Sequence, residues 1–270
     1  MIANINHIKE VMGELKAKKK FGQNFLTDAN VVDKIAKNAC DKDTLTIEIG
    51  PGLGALTEML LKYSKHVDAY EIDRDMYEIL QRQFKDEEHL DIYLEDFLDT
   101  DLSRYKEKVN ICSNLPYYVT TPILFKLFES ELDIGKITVM VQKEVADRFD
   151  AEVGSEDYNA LSIIVQYLYD VKLEMNVSKK VFYPEPQVDS AVISFTPKRE
   201  RDREFEEGFF ELLKNCFRMR RKTLSNNLKD IYDRDVVERI FAEANISERT
   251  RAQELTLEDF MNIYKVVSRQ

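Results

Sequence analysis

The sequence predicts a doubly wound α/β sheet followed by a small, all-helical C-terminal domain. Short apolar runs alternate with amphipathic helical stretches between Thr44 and Tyr169, the signature of a mostly parallel sheet with helices on both faces. A glycine-rich turn, Gly50 to Gly54, falls between the first apolar run and the next helix, where such sheets receive their ligands. The alternation ends at the charged, proline-bearing stretch Thr196–Arg203, beyond which only helical periodicity remains. The expected division is 1–199 for the sheet domain and 200–270 for the helical one.

Ile5, Ile8, Val11, Met12 and Leu15 recur at helical spacing over residues 5–16. After a basic loop, Thr27 or Asp28 can cap a second helix bearing Val31, Val32, Ile35 and Ala36 on one face. Thr44–Ile49 reads as the first strand, and Leu56, Met59 and Leu60 line the helix after the turn. Val67–Ile72 is the second strand, followed by a helix carrying Met76, Ile79 and Leu80. Ile92–Leu94, Val109–Cys112 and Ile137–Val141 supply the third to fifth strands. A helix over Leu161–Tyr169 precedes Val171–Val177 and Ala191–Phe195, which fit an antiparallel hairpin closing the sheet edge. Phe205, Phe209, Leu212, Leu213 and Cys216 mark the next helix, and Val236–Ala244 another. Thr256-Leu257-Glu258-Asp259 resembles a capping box opening the last.

The 270 residues are 44% hydrophobic and 10% aromatic, enough for a sizeable core, which excludes global disorder. No apolar run approaches the ~20 residues of a membrane span, and Met1–Lys20 does not read as a secretory signal. Cys40, Cys112 and Cys216 are far apart and form no CxxC pair. His7, His66 and His89 share no ligand-like spacing with them. The expectation is three buried or half-buried thiols in a reducing cytoplasm, without disulfide or metal. A net charge of −11 alone argues against a polyanionic partner. The charge is uneven, however. Lys16–Thr27 holds four lysines and no acid, and Lys214–Lys229 holds six basic residues and no acid. Charge alone leaves solvated helix faces and two RNA-gripping patches both open.

The Glu48–Ala55 segment, EIGPGLGA, permits a tight turn and close approach of backbone to ligand. Glu71, at the end of the second strand, can accept hydrogen bonds from ribose hydroxyls. Together they indicate an adenosine-type cofactor and do not separate NAD from S-adenosylmethionine. Asp96, after the third strand, can hold an adenine amine. Asn114-Leu115-Pro116-Tyr117 ends the fourth strand. An adenine amine is a poor nucleophile because its lone pair is delocalised into the ring. Two acceptors beside it, the Asn114 side-chain oxygen and the Leu115 carbonyl, favour a pyramidal, more nucleophilic nitrogen. Proline stiffens the turn, and Tyr117 offers a face for an unstacked base. Methyl transfer from a sulfonium needs in-line positioning and electrostatic support, not a metal or a covalent intermediate.

With these residues in register, the chain resembles the family of small-subunit (16S) ribosomal RNA adenine dimethyltransferases over essentially its whole length. The matching segments are Phe21–Leu26, Glu48–Gly54, Glu71–Asp73, Asp96, Asn114–Tyr118, Gln142–Ala146, Val181–Ser190 and Arg220–Leu224. The resemblance implies a Rossmann-like class I methyltransferase sheet in 1–199 and a helical rRNA-binding domain in 200–270. It implies S-adenosylmethionine as cofactor, held by Gln23, Asn24, Leu26, Gly50, Gly52, Glu71, Ile72, Asp96, Phe97 and Asn114. Asn114, Leu115, Tyr117 and Phe182 would form the catalytic set, with Phe182 and Tyr117 sandwiching the target base. Without the resemblance, Phe182 also reads as a core phenylalanine. Lys18, Lys19, Lys20, Arg218, Arg220, Arg221 and Lys222 become the RNA-binding candidates, whereas Phe205, Phe209, Phe210 and Phe217 read as helical core.

The implied reaction is dimethylation of N6 on two adjacent adenosines in the hairpin loop near the 3′ end of 16S rRNA. The substrate would be the 30S subunit or its late precursor, in the cytoplasm, acted on by a monomer without membrane or metal. Competing readings are a 23S rRNA adenine methyltransferase, a nicotinamide dehydrogenase using the glycine turn, and a non-catalytic assembly factor. The Arg220–Leu224 segment and helical tail disfavour the first, and the second leaves Asn114–Tyr117 without a role.

Overall fold

Asp28 caps the helix that follows it, accepting from the main-chain nitrogens of Asn30 and Val31; of the two caps the sequence allowed, this is the one used. In the computed structural model, which describes residues 4–14, 24–116, 118–198 and 200–269, that helix is α2 (Ala29–Ala39). Ahead of it lie α1 (Ile5–Glu14) and β1 (Phe25–Leu26). Then follow β2 (Leu45–Ile49), α3 (Ala55–Tyr63), β3 (His66–Glu71), α4 (Arg74–Gln83) and β4 (Leu90–Leu94). Next come β5 (Val109–Asn114), α5 (Thr120–Glu129), β6 (Ile134–Gln142), α6 (Lys143–Asp147), α7 (Ala160–Leu168) and β7 (Tyr169–Val177). The chain ends with β8 (Phe182–Tyr183), β9 (Ser190–Pro197), α8 (Arg203–Cys216), α9 (Leu224–Leu228), α10 (Arg234–Glu243) and α11 (Leu257–Val267).

The described residues form two compact units. In the first, Met1–Ala146 with Val171–Pro197, seven strands run in the order β4-β3-β2-β5-β6-β9-β7. Neighbours from β4 to β6 are parallel, and β9 lies antiparallel to β6. This is the doubly wound, mostly parallel sheet with antiparallel edge that the sequence predicts. Burial follows position. The inner strands β2, β3 and β5 are almost wholly buried, as two-sided cover of a parallel sheet requires, whereas edge strands β4 and β7 are mostly half-buried or exposed. On one face, Val32, Ile35 and Ala36 of α2 and Leu56, Met59 and Leu60 of α3 pack with Val67, Cys112, Met140 and Val192. Each fully buried aliphatic side chain there contributes about 1.5–3 kcal/mol. The last two strands are not joined by a tight turn. The connection carries β8, which pairs antiparallel with β1 as a separate two-stranded ribbon, Leu26 opposite Phe182.

The second unit is Asp147–Asp170 with Lys198–Gln270. Its boundary falls at Pro197, close to the expected one, but it also takes in α7. The physical reason is the composition of that helix. Leu161, Ile163, Ile164, Val165, Tyr167 and Leu168 are all buried, and a helix apolar all round must be enclosed. Tyr167 lies 5.5 Å from Phe209 and 6.1 Å from Phe210, ring centre to centre. Phe209, Phe210 and Phe217 are buried and Phe205 half-buried, so these rings are core. Thr256 and Asp259 form the capping box of α11. Cys112 and Cys216 are buried and Cys40 half-buried, all free thiols; burial pushes the Cys40 thiol up to about 11.

Candidate active site

Leaving β2, the chain turns sharply into α3. Gly50 donates to the Tyr70 carbonyl at 2.9 Å and Gly54 to that of Pro51 at 2.9 Å. Gly50, Gly52 and Gly54 all adopt left-handed φ, +68°, +59° and +80°, which side chains resist. At Gly52 a Cβ would also come within 3.2 Å of the Phe25 ring. The Glu71 carboxylate braces this turn. It is 3% exposed and accepts from the main-chain nitrogen of Gly52 at 3.0 Å and of Asp73 at 2.9 Å. Burial raises it to about 7, against the pull of those two amides.

Asn114 closes the opposite wall at the end of β5. Its Nδ2 donates to the Asn24 carbonyl at 3.3 Å. A carbonyl only accepts, so this contact fixes the amide's orientation and leaves Oδ1 for a ligand. The Leu115 nitrogen is held by the Met140 carbonyl at 3.2 Å, while the Leu115 carbonyl accepts no hydrogen bond among the described residues. Ser113 stitches β5 to β2 by donating to the Ile49 carbonyl.

These walls line a cleft that is open to solvent. Of the predicted residues, Asn24, Leu26, Gly50, Gly52, Glu71, Ile72, Asn114 and Leu115 line it. Asp96 does not. It is half-buried just beyond β4, its carboxylate accepting from the Leu98 nitrogen at 2.9 Å. Phe97 does not either, being 4% exposed and set edge-on against Tyr70. Phe182 does not line the cleft either; it is 4% exposed and packs with Leu26, Val32 and Met140. Gln23, Tyr117, Lys18, Lys19 and Lys20 lie outside the described residues.

The cleft also contains residues that sequence reasoning passed over. Glu48 is 1% exposed, with Oε2 accepting from the Thr57 hydroxyl at 2.6 Å. Burial, eased by Thr57 and reinforced by Glu71, raises it to about 8. Its position as the acid before the glycine turn was the available signal. Ile8 and Phe25 arrive through packing of α1 and β1 with Leu53 and Met76, which no local pattern foretells. Tyr118 also lines the cleft. Elsewhere in the sheet, His66 Nε2 sits 3.0 Å from Asp91 and 3.4 Å from Asp68. Asp68 and Asp91 are opposed across β3 and β4, a grouping that chain spacing hides.

In the second unit, Arg218, Arg220, Arg221 and Lys222 are exposed just after α8. Arg220 is engaged locally, its guanidinium donating to the carbonyls of Glu156 and Tyr158.

A strand-end carboxylate for hydroxyls, a glycine turn beneath it, and an oriented amide facing them fit a nucleoside cofactor with a reacting group beside Asn114. Fold and site together define an S-adenosylmethionine-dependent methyltransferase. A profile of the ribosomal RNA adenine dimethylase family matches residues 14–269, and the chain belongs to that family. A relative from Oceanobacillus iheyensis, named ribosomal RNA small subunit methyltransferase A, is 40% identical over 97% of this chain and 95% of its own. The crystal structure of a dimethyladenosine transferase from Plasmodium falciparum superposes with a TM-score of 0.69 at 25% identity, covering 88% of this chain and 95% of that one. The 23S rRNA methyltransferase ErmE shares the fold, with a TM-score of 0.66 at 23% identity over 91% of this chain and all of its own. Among the described residues no helix is long and apolar enough to cross a membrane.

Proposed function

We propose that this enzyme dimethylates N6 of two adjacent adenosines in the hairpin loop near the 3′ end of 16S rRNA, on the small subunit or its late precursor in the cytoplasm. The observation that carries the reading is the Asn114 amide, its Nδ2 held by the Asn24 carbonyl and its oxygen accepting no hydrogen bond among the described residues. S-adenosylmethionine supplies the methyl group as a sulfonium electrophile. Asn114 Oδ1 and the Leu115 carbonyl accept from the target amine and hold its lone pair toward the cofactor side of the cleft. Pro116 keeps the two acceptors in one rigid turn, and Tyr117 supplies a stacking face for the flipped base. Glu71 would receive the ribose hydroxyls and Ile72 an adenine face, with Asp96, beyond the cleft lining, proposed for the adenine amine. Phe182 acts from beneath, holding β1 and therefore Leu26 and Asn24 in place.

The choice of the small subunit rests on the 40% identical relative and its name, because ErmE shares only the fold. Arg218, Arg221 and Lys222, with Lys18–Lys20, are proposed to hold the RNA backbone. The test is mass spectrometry of rRNA fragments after incubating undermethylated 30S subunits, and separately free 23S rRNA, with labelled cofactor. Two dimethyladenosines in the 16S 3′ hairpin are expected. Label confined to 23S rRNA, or absent from both, overturns the proposal.

A further inference from the structure

Ile72 and Tyr118 are the two side chains of the cleft lining that the fold leaves bare, 47% and 58% exposed. The other lining residues are buried or half-buried. Tyr118 is carried by the turn that ends β5, where the Pro116 carbonyl takes the nitrogen of Val119 and the hydroxyl of Thr120. Among the described residues Tyr118 has neither a hydrogen bond nor a ring contact. A large amphipathic ring left without partners inside a concave site is poised for a ligand. Partial burial, and then the nearby Asp96 and Glu71 carboxylates, raise its phenol and keep it protonated. Tyr118 shares the cleft lining with Ile72 and with Glu71, the carboxylate assigned to the ribose, which puts its ring on the nucleoside side.

We propose that Tyr118 is a cofactor-binding residue whose ring covers the adenosine half of S-adenosylmethionine, with Ile72 as the other apolar contact. It sets affinity for the nucleoside rather than for the cofactor's amino-acid tail or for the RNA. The proposal rests on the methyltransferase reading above. In an apolar cleft the ring excludes water from the adenine face, and its hydroxyl remains a donor within the field of two acids.

Calorimetric titration with S-adenosylhomocysteine and with 5′-methylthioadenosine, which keeps the nucleoside and lacks the amino-acid tail, tests it. Tyr118→Ala is expected to weaken both by a similar factor of about ten, the scale of a lost aromatic–base stack. Tyr118→Phe is expected to bind both within about twofold of the parent, because the ring remains. A melting temperature equal to the parent's shows that the exposed position tolerates the changes. Unchanged affinities in Tyr118→Ala overturn the assignment while leaving the methyltransferase reading intact, and so does a loss confined to S-adenosylhomocysteine. Failure of the parent protein to bind either ligand overturns both.

Discussion

Glu71 and Glu48 face one cleft as carboxyls that burial has raised to about 7 and about 8. A carboxyl raised above its unfolded value binds its proton more tightly in the folded state. Its stabilising contribution is therefore fully present below about pH 4.5 and lost as pH rises through the folded values. A ligand whose hydroxyls donate to Glu71 favours the ionised form. Cofactor binding should therefore release a proton and strengthen as pH rises from 6 to 8. Calorimetry in buffers of different ionisation enthalpy reads that proton directly. Glu71→Gln should remove most of the release, and a pH-independent affinity in the parent would contradict the linkage. Arg220 illustrates the opposite lesson at this scale. Sequence places it in a basic run, but its guanidinium is engaged by two main-chain carbonyls, so Arg221 and Lys222 beside it are the better candidates for phosphate.

At the scale of elements, the glycine turn works because β2, β3 and β5 end together and each presents one functional group at the same edge: the turn itself, Glu71 and Asn114. That much was legible, because strand ends follow from apolar runs and a turn needing left-handed φ must be built of glycine. The caps of α2 and α11 were legible for the same local reason. The β1–β8 ribbon was not, since two-residue strands separated by more than 150 positions leave no periodicity to read. Nor was α5, whose apolar Ile123, Leu124, Leu127 and Phe128 follow directly on the NLPY turn and went unassigned. The ribbon decides the fate of Phe182. If the ring supports Leu26 from the core, Phe182→Leu, a large-to-small core change, should cost about 1–3 kcal/mol of stability and retain methyl transfer. A stable Phe182→Leu protein with transfer reduced by about a hundredfold or more would restore the base-clamp role that the sequence suggested.

Across the whole molecule, an acidic chain carries a short basic segment on its helical unit. The helical unit was under-read by sequence because α7 precedes β7 in the chain, so the strand–helix alternation assigned it to the sheet. Its enclosed apolar surface shows that the core of Lys198–Gln270 is completed by a segment some 30 residues upstream. RNA affinity built on phosphate contacts falls with salt in proportion to the contacts made. Replacing Arg218, Arg221 and Lys222 together by alanine should therefore weaken binding to the small-subunit RNA and flatten the slope of log affinity against log salt by about two units. An unchanged slope would place the RNA elsewhere on the surface.

The central claim is that a pinned amide at the end of β5 presents its oxygen to the amine being methylated. Single-turnover methyl transfer by Asn114→Ala, at saturating cofactor and with cofactor affinity measured alongside, tests it most directly. The account predicts a loss of about a hundredfold or more in the transfer rate, with cofactor affinity changed far less. Transfer at the parental rate, or a loss wholly explained by weaker cofactor binding, would contradict it.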